Sequence, residues 1–372
     1  MATITKLFLL ATAALSAVNA QQTFQFKETY PQAGSVPTPK QEWMALLSNA
    51  NITDAPVVKS SGENGPQQNG EADPYCDWTF TGCTRSTDIT TCPKGQWGIT
   101  YDDGPTQFSP QLYDFLDQTQ QKATFFLIGG QVVQFPEHTK RIFDSGHELA
   151  MHTWSHSYLT TQTNEQIVAE LKWTELAIKE VTGVSPRFFR PPYGDIDDRV
   201  RSIAAALGFT PVIWDHDTDD WRMDEIKGFK PEWIDNNATE WASANNTGGG
   251  ISLEHDLYQS TVDAAKRVLP ILQKAYKVVT VGQCTGQASY KEGNANTTAV
   301  PTTAAASSAA PSVAASSTGV APNGPSSGNN NAQQSSGADA EQQAQQDSGA
   351  GRYAATSAVA LSLAAGISYM LA

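Results

Sequence analysis

Between residues 97 and 281, short apolar segments alternate with amphipathic ones, and this alternation constrains the fold more than any other feature of the chain. The apolar runs predict strands at 97–101, 123–128, 148–151, 187–190, 211–214, 250–254 and 277–281. The amphipathic stretches predict helices at 109–121, 163–182, 197–207 and 261–275. Strands separated by helices form parallel sheets, which either close into a (β/α) barrel or stay open as a doubly wound sheet.

Polar residues follow most of the predicted strands, and they favour the closed barrel. The residues that come just after a strand are Asp102, His152, Tyr193, Asp217 and His255. In a parallel barrel, the loops after the strands converge on one face and build the active site. We therefore predict an α/β fold, a distorted (β/α) barrel of about seven parallel strands that forms a single catalytic domain.

Two histidines after the predicted strand at 148–151 are candidate metal ligands. If His152 and His156 lie on one helical turn, their side chains are about 6 Å apart on one face, close enough for a single ion. Asp103 would complete a set of two imidazoles and one carboxylate, which leaves coordination positions open for water and substrate. The alternative is that both histidines are ordinary surface residues.

Three further segments have both a structural and a functional interpretation. Residues 190–195 form a stiff loop, because two consecutive prolines fix φ there. Residues 217–221 form either a solvated acidic turn or part of a site. Residues 251–256 alternate like a strand that ends in His255, and a single histidine in such a place is more often structural than catalytic.

The order of these segments gives them a more specific meaning. TYDDGP, HTWSH, RPPYGD, DTDDW and ISLEHD resemble, in this order, the five motifs of the polysaccharide deacetylases of carbohydrate esterase family four, the NodB homology domain. Within that family the chain resembles the fungal chitin deacetylases. The resemblance covers approximately residues 92–284 and implies a distorted (β/α) barrel.

This resemblance implies a metal-dependent hydrolase. Asp103, His152 and His156 would hold one divalent metal ion, with zinc favoured over cobalt. The implied reaction removes N-acetyl groups from N-acetylglucosamine units of chitin and gives chitosan and acetate. Two alternatives stay open at this point: the same chemistry on peptidoglycan or acetylxylan, and a wall glycoprotein that binds glycans without turning them over.

The resemblance also assigns roles in proton transfer and substrate binding. Asp102 would act as the general base and His255 as the general acid. The supporting residues are Arg190 beside Asp102, Asp220 beside His255, the backbone N–H of Tyr193 for the oxyanion, and Trp221 and Leu253 for the acetyl methyl group.

Both ends of the chain have the composition of processing signals. We expect a secretory signal at 1–20, an N-terminal extension at 21–75 and the catalytic domain at 76–290. Residues 291–347 are rich in Ala, Ser and Thr and contain no aromatic, Leu or Ile side chain, which predicts an extended stalk. Small residues before an apolar tail predict a glycosylphosphatidylinositol (GPI) signal at 348–372, with Ser348, Gly349 or Ala350 as the anchor site and a tail-anchored helix as the alternative.

Composition restricts the partners of the chain. A net charge of −14 without a basic run argues against nucleic acid and leaves the GPI lipid as the predicted membrane contact. We expect a secreted monomer that acts on chitin, chitin oligomers or other cell wall polysaccharide, at the outer face of the cell membrane or in the cell wall. Glycosylation sequons occur at Asn51, Asn237, Asn245 and Asn296.

The four cysteines allow three disulfide pairings. Their spacing differs from that of zinc knuckles, and a secreted chain favours disulfides over thiolate ligands. We expect Cys83 to pair with Cys92 in a local loop and Cys76 to pair with Cys284 across the two ends of the domain.

Overall fold

The computed structural model of the chain describes residues 24–60, 65–67, 72–243 and 248–293. The predicted signal peptide, the stalk beyond Gly293 and the GPI signal with Ser348 lie outside the described residues, as do Asn245 and Asn296. Asn51 is exposed and Asn237 is half-buried, and the glycosylation of both stays a prediction. Within the described ranges, no helix combines the length and the apolar character needed to cross a bilayer.

The strands of the described residues form two parallel sheets. They are β1 Gln96–Gly98, β2 Thr100–Asp102, β3 Thr124–Leu127, β4 Glu148–Met151, β5 Phe188–Phe189, β6 Thr210–Pro211, β7 His216–Asp217, β8 Gly250–Leu253 and β9 Lys277–Val279. One sheet has the order β7–β8–β1–β9 and the other the order β2–β3–β4–β5–β6. Their pairings are parallel throughout, as the alternation of strands and helices predicts.

Two chain segments belong to both sheets and close them into a distorted barrel. The predicted strand at 97–101 is divided at Ile99 into β1, which pairs with β8 and β9, and β2, which pairs with β3. Asp102 also forms a parallel bridge with His255, just beyond β8. On the other side, the segment from β6 to β7 leaves β5 and joins β8. The predicted barrel is confirmed.

Helices surround this barrel. Those of the described residues are α1 Gln41–Met44, α2 Trp78–Thr81, α3 Ser109–Gln118, α4 Gly129–Gln134, α5 Pro136–Asp144, α6 Asn164–Thr182, α7 Asp198–Ala206, α8 Arg222–Glu225, α9 Glu232–Ser243, α10 Gln259–Leu272 and α11 Val281–Thr285. Short 3₁₀ turns occur at Ala45–Leu47, Leu159–Thr161 and Pro192–Gly194. The four predicted helices correspond to α3, α6, α7 and α10.

The longest helix, α6, begins and ends at residues suited to those positions. The Thr163 hydroxyl accepts from the Gln166 N–H, and the Gln166 side-chain oxygen accepts from the Thr163 backbone N–H. Gly183 ends the helix with a φ of 84°, a conformation that glycine adopts without a steric penalty. Helix α6 packs against α4, α5 and α7, and it lies behind the loop that follows β4.

The strands bury side chains on both faces. In β3, Phe126 belongs to a smaller apolar cluster with Ala150, Phe188 and Ile251, whereas its neighbour Phe125 belongs to a larger one. Because successive side chains of a strand point to opposite faces, this alternation places the smaller cluster inside the barrel and the larger one between barrel and helices.

The disulfides differ from the predicted pairing. Cys76 bonds to Cys83 and Cys92 bonds to Cys284, so the expected Cys83–Cys92 and Cys76–Cys284 bonds are wrong. The physical reason is tertiary: Cys92 and Cys284 both belong to the smaller apolar cluster of the barrel, and a Cβ on Gly98 of β1 would come within 3.0 Å of the Cys92 Sγ. Cys76 and Cys83 instead close a short loop around α2.

Candidate metal centre and catalytic site

The loops that follow five strands meet at the carboxyl-terminal end of the barrel. They carry all five sequence motifs, as the barrel predicts. Several non-glycine residues in these loops have positive φ: Asp103 at 75°, Thr153 at 61°, His156 at 58°, Tyr193 at 59° and Asp219 at 60°. Backbone in this region persists only where surrounding contacts over-determine it, and such residues cluster at functional sites.

Three side chains that are far apart in the sequence converge at this face. The Asp103 Oδ1 lies 3.4 Å from the His152 Nε2 and 3.3 Å from the His156 Nε2. One ligand atom from each of the three residues lies within 4.8 Å of the other two. This is the spacing of atoms that share one metal ion, and the sequence predicted this set of residues.

The surroundings of the three side chains fit a metal ion. The Asp103 Oδ1 is buried and has no hydrogen-bond partner among the described residues. The His152 Nδ1 lies 2.8 Å from the Arg190 carbonyl oxygen. A ring N–H donated to that carbonyl leaves the Nε2 lone pair for a ligand bond, which is the usual support of a metal-binding histidine.

The protonation states also suit metal binding. Burial lowers the pKa of His152 to about 3 and brings the pKa of His156 below its usual value. Burial opposes ionisation of Asp103, but the imidazoles of His156, His255 and His152 hold its pKa below the usual value. Neutral imidazoles and an ionised carboxylate are the forms that coordinate a cation.

A buried glutamate holds the loop that carries both histidines. The Glu170 carboxylate accepts from the backbone N–H groups of Trp154, at 2.7 Å, and of Ser155, at 2.9 Å. It also accepts from the Ser155 hydroxyl. Sequence reasoning missed Glu170, because a glutamate in an amphipathic helix is normally solvated. The signal available was its place three residues after Ile167 and one before Leu171, on the buried side of α6.

Asp102 forms a buried ion pair with Arg190, beside the three candidate metal ligands. Its Oδ1 accepts from the Arg190 Nη1 at 2.8 Å, and its Oδ2 lies 3.9 Å from the His152 Nε2. Burial raises the pKa of Asp102 to about 7, although the charges of Arg190 and His255 act in the opposite direction. A carboxylate with a pKa near neutrality is suited to act as a general base.

Arg190 is held in place on several sides. Its Nη1 also donates to the Thr100 hydroxyl at 2.7 Å, and its Nε donates to the Val212 carbonyl at 3.3 Å. The guanidinium carbon lies 4.1 Å from the centroid of the Phe126 ring. Because these contacts fix the guanidinium, they also fix the carboxylate that it binds.

His255 and Asp220 form the second charged pair of the site. The His255 Nδ1 lies 2.7 Å from the Asp220 Oδ1, and the backbone N–H of His255 donates to the Asp220 Oδ2 at 2.8 Å. Burial works against a charged imidazole here, but the Asp220 carboxylate outweighs it, and the pKa of His255 is raised to about 10. The imidazole is therefore a proton donor at neutral pH.

The remaining predicted residues lie on the same loops. Tyr193 is 48% exposed, and its ring stacks on Tyr158 with centroids 4.0 Å apart. Trp221 is half-buried at the start of α8. Leu253 is buried at the end of β8, two residues before His255.

Comparison with known proteins places this site in a family. The family model described as Polysaccharide deacetylase matches residues 90–212. Chitin deacetylase 1 of Cryptococcus neoformans var. grubii is 42% identical over 277 residues, which cover 69% of this chain and 58% of that protein. Chitin deacetylase 3 of Cryptococcus neoformans var. neoformans is 35% identical over 286 residues, which cover 73% of this chain and 70% of that protein. The chain belongs to the polysaccharide deacetylase family.

A solved structure agrees with this family assignment. The chitin deacetylase of the fungal pathogen Colletotrichum lindemuthianum superimposes with a TM-score of 0.52 and 29% identity, covering 55% of this chain and 95% of that one. The chain spans about three fifths of the length of the first curated relatives it matches. Membership in the family confirms the predicted resemblance, and a divalent metal ion is implied for the site.

Proposed function

We propose that this protein is a metal-dependent chitin deacetylase that hydrolyses the N-acetyl groups of N-acetylglucosamine residues and yields chitosan and acetate. The observation that carries the proposal is the meeting of Asp103, His152 and His156 beside two charged pairs, Asp102–Arg190 and Asp220–His255. The similar proteins from Cryptococcus and Colletotrichum are named chitin deacetylases, which supports chitin as the substrate.

Asp103, His152 and His156 are the residues that would hold the ion, with zinc favoured over cobalt. When bound, a divalent cation supplies Lewis acidity, which polarises an amide carbonyl and lowers the pKa of water. Two neutral imidazoles and one carboxylate suit zinc and leave room for water and substrate.

Asp102 would act as the general base. Its Oδ1 is occupied by Arg190, so the Oδ2, which faces His152, is the oxygen that would accept a proton from the attacking water. The water oxygen adds to the acetamide carbonyl carbon as this proton leaves. Arg190 would keep the carboxylate ionised and correctly aimed.

His255 would act as the general acid. The amide carbon–nitrogen bond breaks only when the leaving nitrogen receives a proton, because an amine anion is a poor leaving group. His255 would donate that proton, and Asp220 would keep the imidazole protonated and oriented. The products are acetate and the free amine of glucosamine.

Tyr193, Trp221 and Leu253 would bind the reacting group. The backbone N–H of Tyr193 would donate to the oxygen that becomes an oxyanion. Trp221 and Leu253 would form the apolar surface for the acetyl methyl group. The sugar units on either side would meet the polar and aromatic rim of the same face.

The cellular setting belongs to the same proposal. The sequence supports a secreted, N-glycosylated monomer that is tethered to the outer face of the cell membrane by a GPI lipid at Ser348 or an adjacent small residue. The stalk would hold the catalytic domain in the cell wall, where chitin is within reach. Two disulfides are consistent with this oxidising location.

Acetate release from defined chitin oligomers tests the proposal, with peptidoglycan and acetylxylan assayed in parallel. We expect release from chitin oligomers at a higher kcat/KM than from the other polymers, and none by the His152→Ala variant. Faster acetate release from peptidoglycan or acetylxylan would show that chitin is not the preferred substrate, and the proposed deacetylation chemistry would stand. Binding of chitin oligomers without any acetate release would show a glycan-binding protein instead.

A further inference from the structure

The segment from residue 24 to residue 38, which we call the N-terminal strap, packs across α5 and α6. It lies outside the residues that the family model matches. The Phe24 N–H donates to Glu137 at 3.0 Å, and the Tyr30 hydroxyl donates to Glu180 at 2.8 Å. Near its end, the Thr38 carbonyl accepts from the Trp173 indole N–H at 2.8 Å.

The strap also touches the loop that carries the two metal-ligand histidines. The ring of Tyr30 is nearly parallel to that of Trp154, with centroids 5.8 Å apart and an interplanar angle of 8°. The Trp154 indole N–H donates to the Gln32 carbonyl at 3.2 Å. Ala33 lies so close to Gly130 that a Cβ on that glycine would come within 2.9 Å of the alanine Cβ.

Trp154 is placed to transmit this contact to the metal ligands. It is fully buried, and it lies midway between His152 and His156 in the sequence. Thr153, just before it, and His156, two residues after it, have positive φ, so the loop needs external contacts to keep its shape. Glu170 holds the backbone of Trp154 from one side, and the strap holds its indole.

We propose that the N-terminal strap is a positioning element of the metal centre, which fixes Trp154 and thereby the spacing of His152 and His156. Tyr30 supplies the stacked ring and Gln32 the carbonyl acceptor. The proposal rests on the proposed function for the reaction, but the claim about loop geometry concerns contacts of this chain alone. Groups that hydrogen-bond directly to a metal ligand change metal affinity about 10–100-fold when they are lost, and the strap acts one residue further from the ion.

A matched pair of variants at Tyr30 distinguishes an effect on the geometry of the histidine loop from a general loss of protein stability. Tyr30→Phe removes the hydrogen bond to Glu180 and keeps the stacked ring, whereas Tyr30→Leu removes the ring. We expect Tyr30→Leu to weaken Zn²⁺ binding by up to about 10-fold in competition with a chromogenic chelator, the lower end of the range for groups bonded directly to a ligand. We expect it also to accelerate amide hydrogen exchange at residues 153–156 in the metal-free protein. Tyr30→Phe should change neither.

Trp43→Leu is the control for a general loss of packing, because Trp43 packs on Trp173, at 4.9 Å between centroids, and the Trp154 contacts of the strap stay in place. We expect it to lower Tm without altering Zn²⁺ affinity or exchange at 153–156. Equal effects of Trp43→Leu and Tyr30→Leu, or unchanged exchange and affinity in Tyr30→Leu, would overturn the proposal. A wild-type protein that binds no Zn²⁺ would refute the proposed function, and hydrogen exchange would still decide the role of the strap.

Discussion

Two adjacent carboxyl groups in this site have opposite environments. Asp102 ends β2 inside the barrel wall, where burial raises its pKa to about 7. Asp103 follows with a positive φ, which turns its side chain toward the imidazoles that hold its pKa down. Neighbouring acids with separated pKa values divide the work of a site: here one would move a proton and the other would hold a cation.

Asp102→Asn tests the division of work between the two carboxyl groups. The amide is similar in size but accepts no proton from water, so we expect kcat to fall about 10²–10⁴-fold while bound metal is retained. Acetate release and metal content of the same preparation provide the measurement. Asp114→Asn, an exposed change on α3, serves as the control. Near-normal kcat in Asp102→Asn would remove Asp102 as the base.

The pH dependence of kcat/KM tests whether His255 is the general acid. His255 donates a proton only below its pKa, which Asp220 raises to about 10, so activity is lost as pH rises through that value. Asp220→Asn removes the stabilising charge, and we expect the alkaline limb to move down by about 1–3 pH units. Asp215→Asn alters another Asp–His pair, that of His216, and should leave the limb in place. An unshifted limb in Asp220→Asn would contradict the assignment.

At the scale of elements, the sequence predicted the strands and helices that have a clear hydrophobic periodicity. It missed the short elements whose formation depends on tertiary contacts. Strand β4 was predicted with its observed bounds, because Glu148–Met151 is a compact run before a distinct motif. Strands β6 and β7 are each two residues long, too short for alternation to register. Helix α4 begins at Gly129 and Gly130, although glycine is a poor helix former. A Cβ at these positions would collide with Thr174 and Ala33, so the close packing requires glycine.

The site itself was predicted more completely than the elements that carry it. Its ligands and charged pairs follow strand ends, where residue type and motif order are informative. Glu170 and the strap were missed, because their role depends on which helix and which segment lie behind the loop after β4. The disulfides were mispaired for the same reason, since distance along the chain does not reveal that β1 lies beside β9.

The Cys76–Cys83 loop braces the segment that carries Tyr193. A Cβ on Gly194 would come within 2.2 Å of the Trp78 ring, so the ring packs directly on that backbone. The Thr79 hydroxyl donates to Asp195 at 2.7 Å. This disulfide therefore lies next to the Tyr193 loop, whereas Cys92–Cys284 joins the segment before β1 to the helix after β9.

Removing each disulfide separately should have different consequences. In the chain-entropy account, loss of Cys92–Cys284 costs about 5 kcal/mol of unfolding free energy, and loss of Cys76–Cys83 costs about 2.5 kcal/mol. We expect the Cys92→Ala/Cys284→Ala variant to show the larger decrease in Tm. We expect the Cys76→Ala/Cys83→Ala variant to show the larger decrease in kcat/KM. Denaturant unfolding and acetate release measure the two effects. The reverse order would contradict the assigned roles.

At the scale of the whole molecule, the domain continues to the last residues that the structure describes. The Tyr290 hydroxyl accepts from the Leu149 N–H at 3.1 Å, and the Lys291 Nζ donates to Glu175 at 2.6 Å. Glu292 accepts from the Ser185 N–H at 2.8 Å. These contacts tie the segment after α11 to β4, to α6 and to the loop that follows α6. Strand β4 precedes the loop with His152 and His156, and α6 holds that loop through Glu170.

Truncation after Gly293 should leave Tm and kcat unchanged, because it retains the contacts of Tyr290, Lys291 and Glu292. Truncation after Cys284 removes the Tyr290 and Lys291 contacts while keeping the disulfide, and we expect a lower Tm. Thermal unfolding and acetate release of the two products provide the comparison. An unfolded product from truncation after Gly293 would contradict the assignment of the following residues to a stalk.

The most direct measurement is acetate release from chitin oligomers by one purified preparation before chelation, after chelation and after stepwise return of Zn²⁺. The account predicts that activity disappears with the ion and returns in full at one equivalent per chain. It also predicts that Asp103→Ala stays inactive throughout the titration. Undiminished acetate release from protein that elemental analysis finds free of transition metal would contradict the central claim.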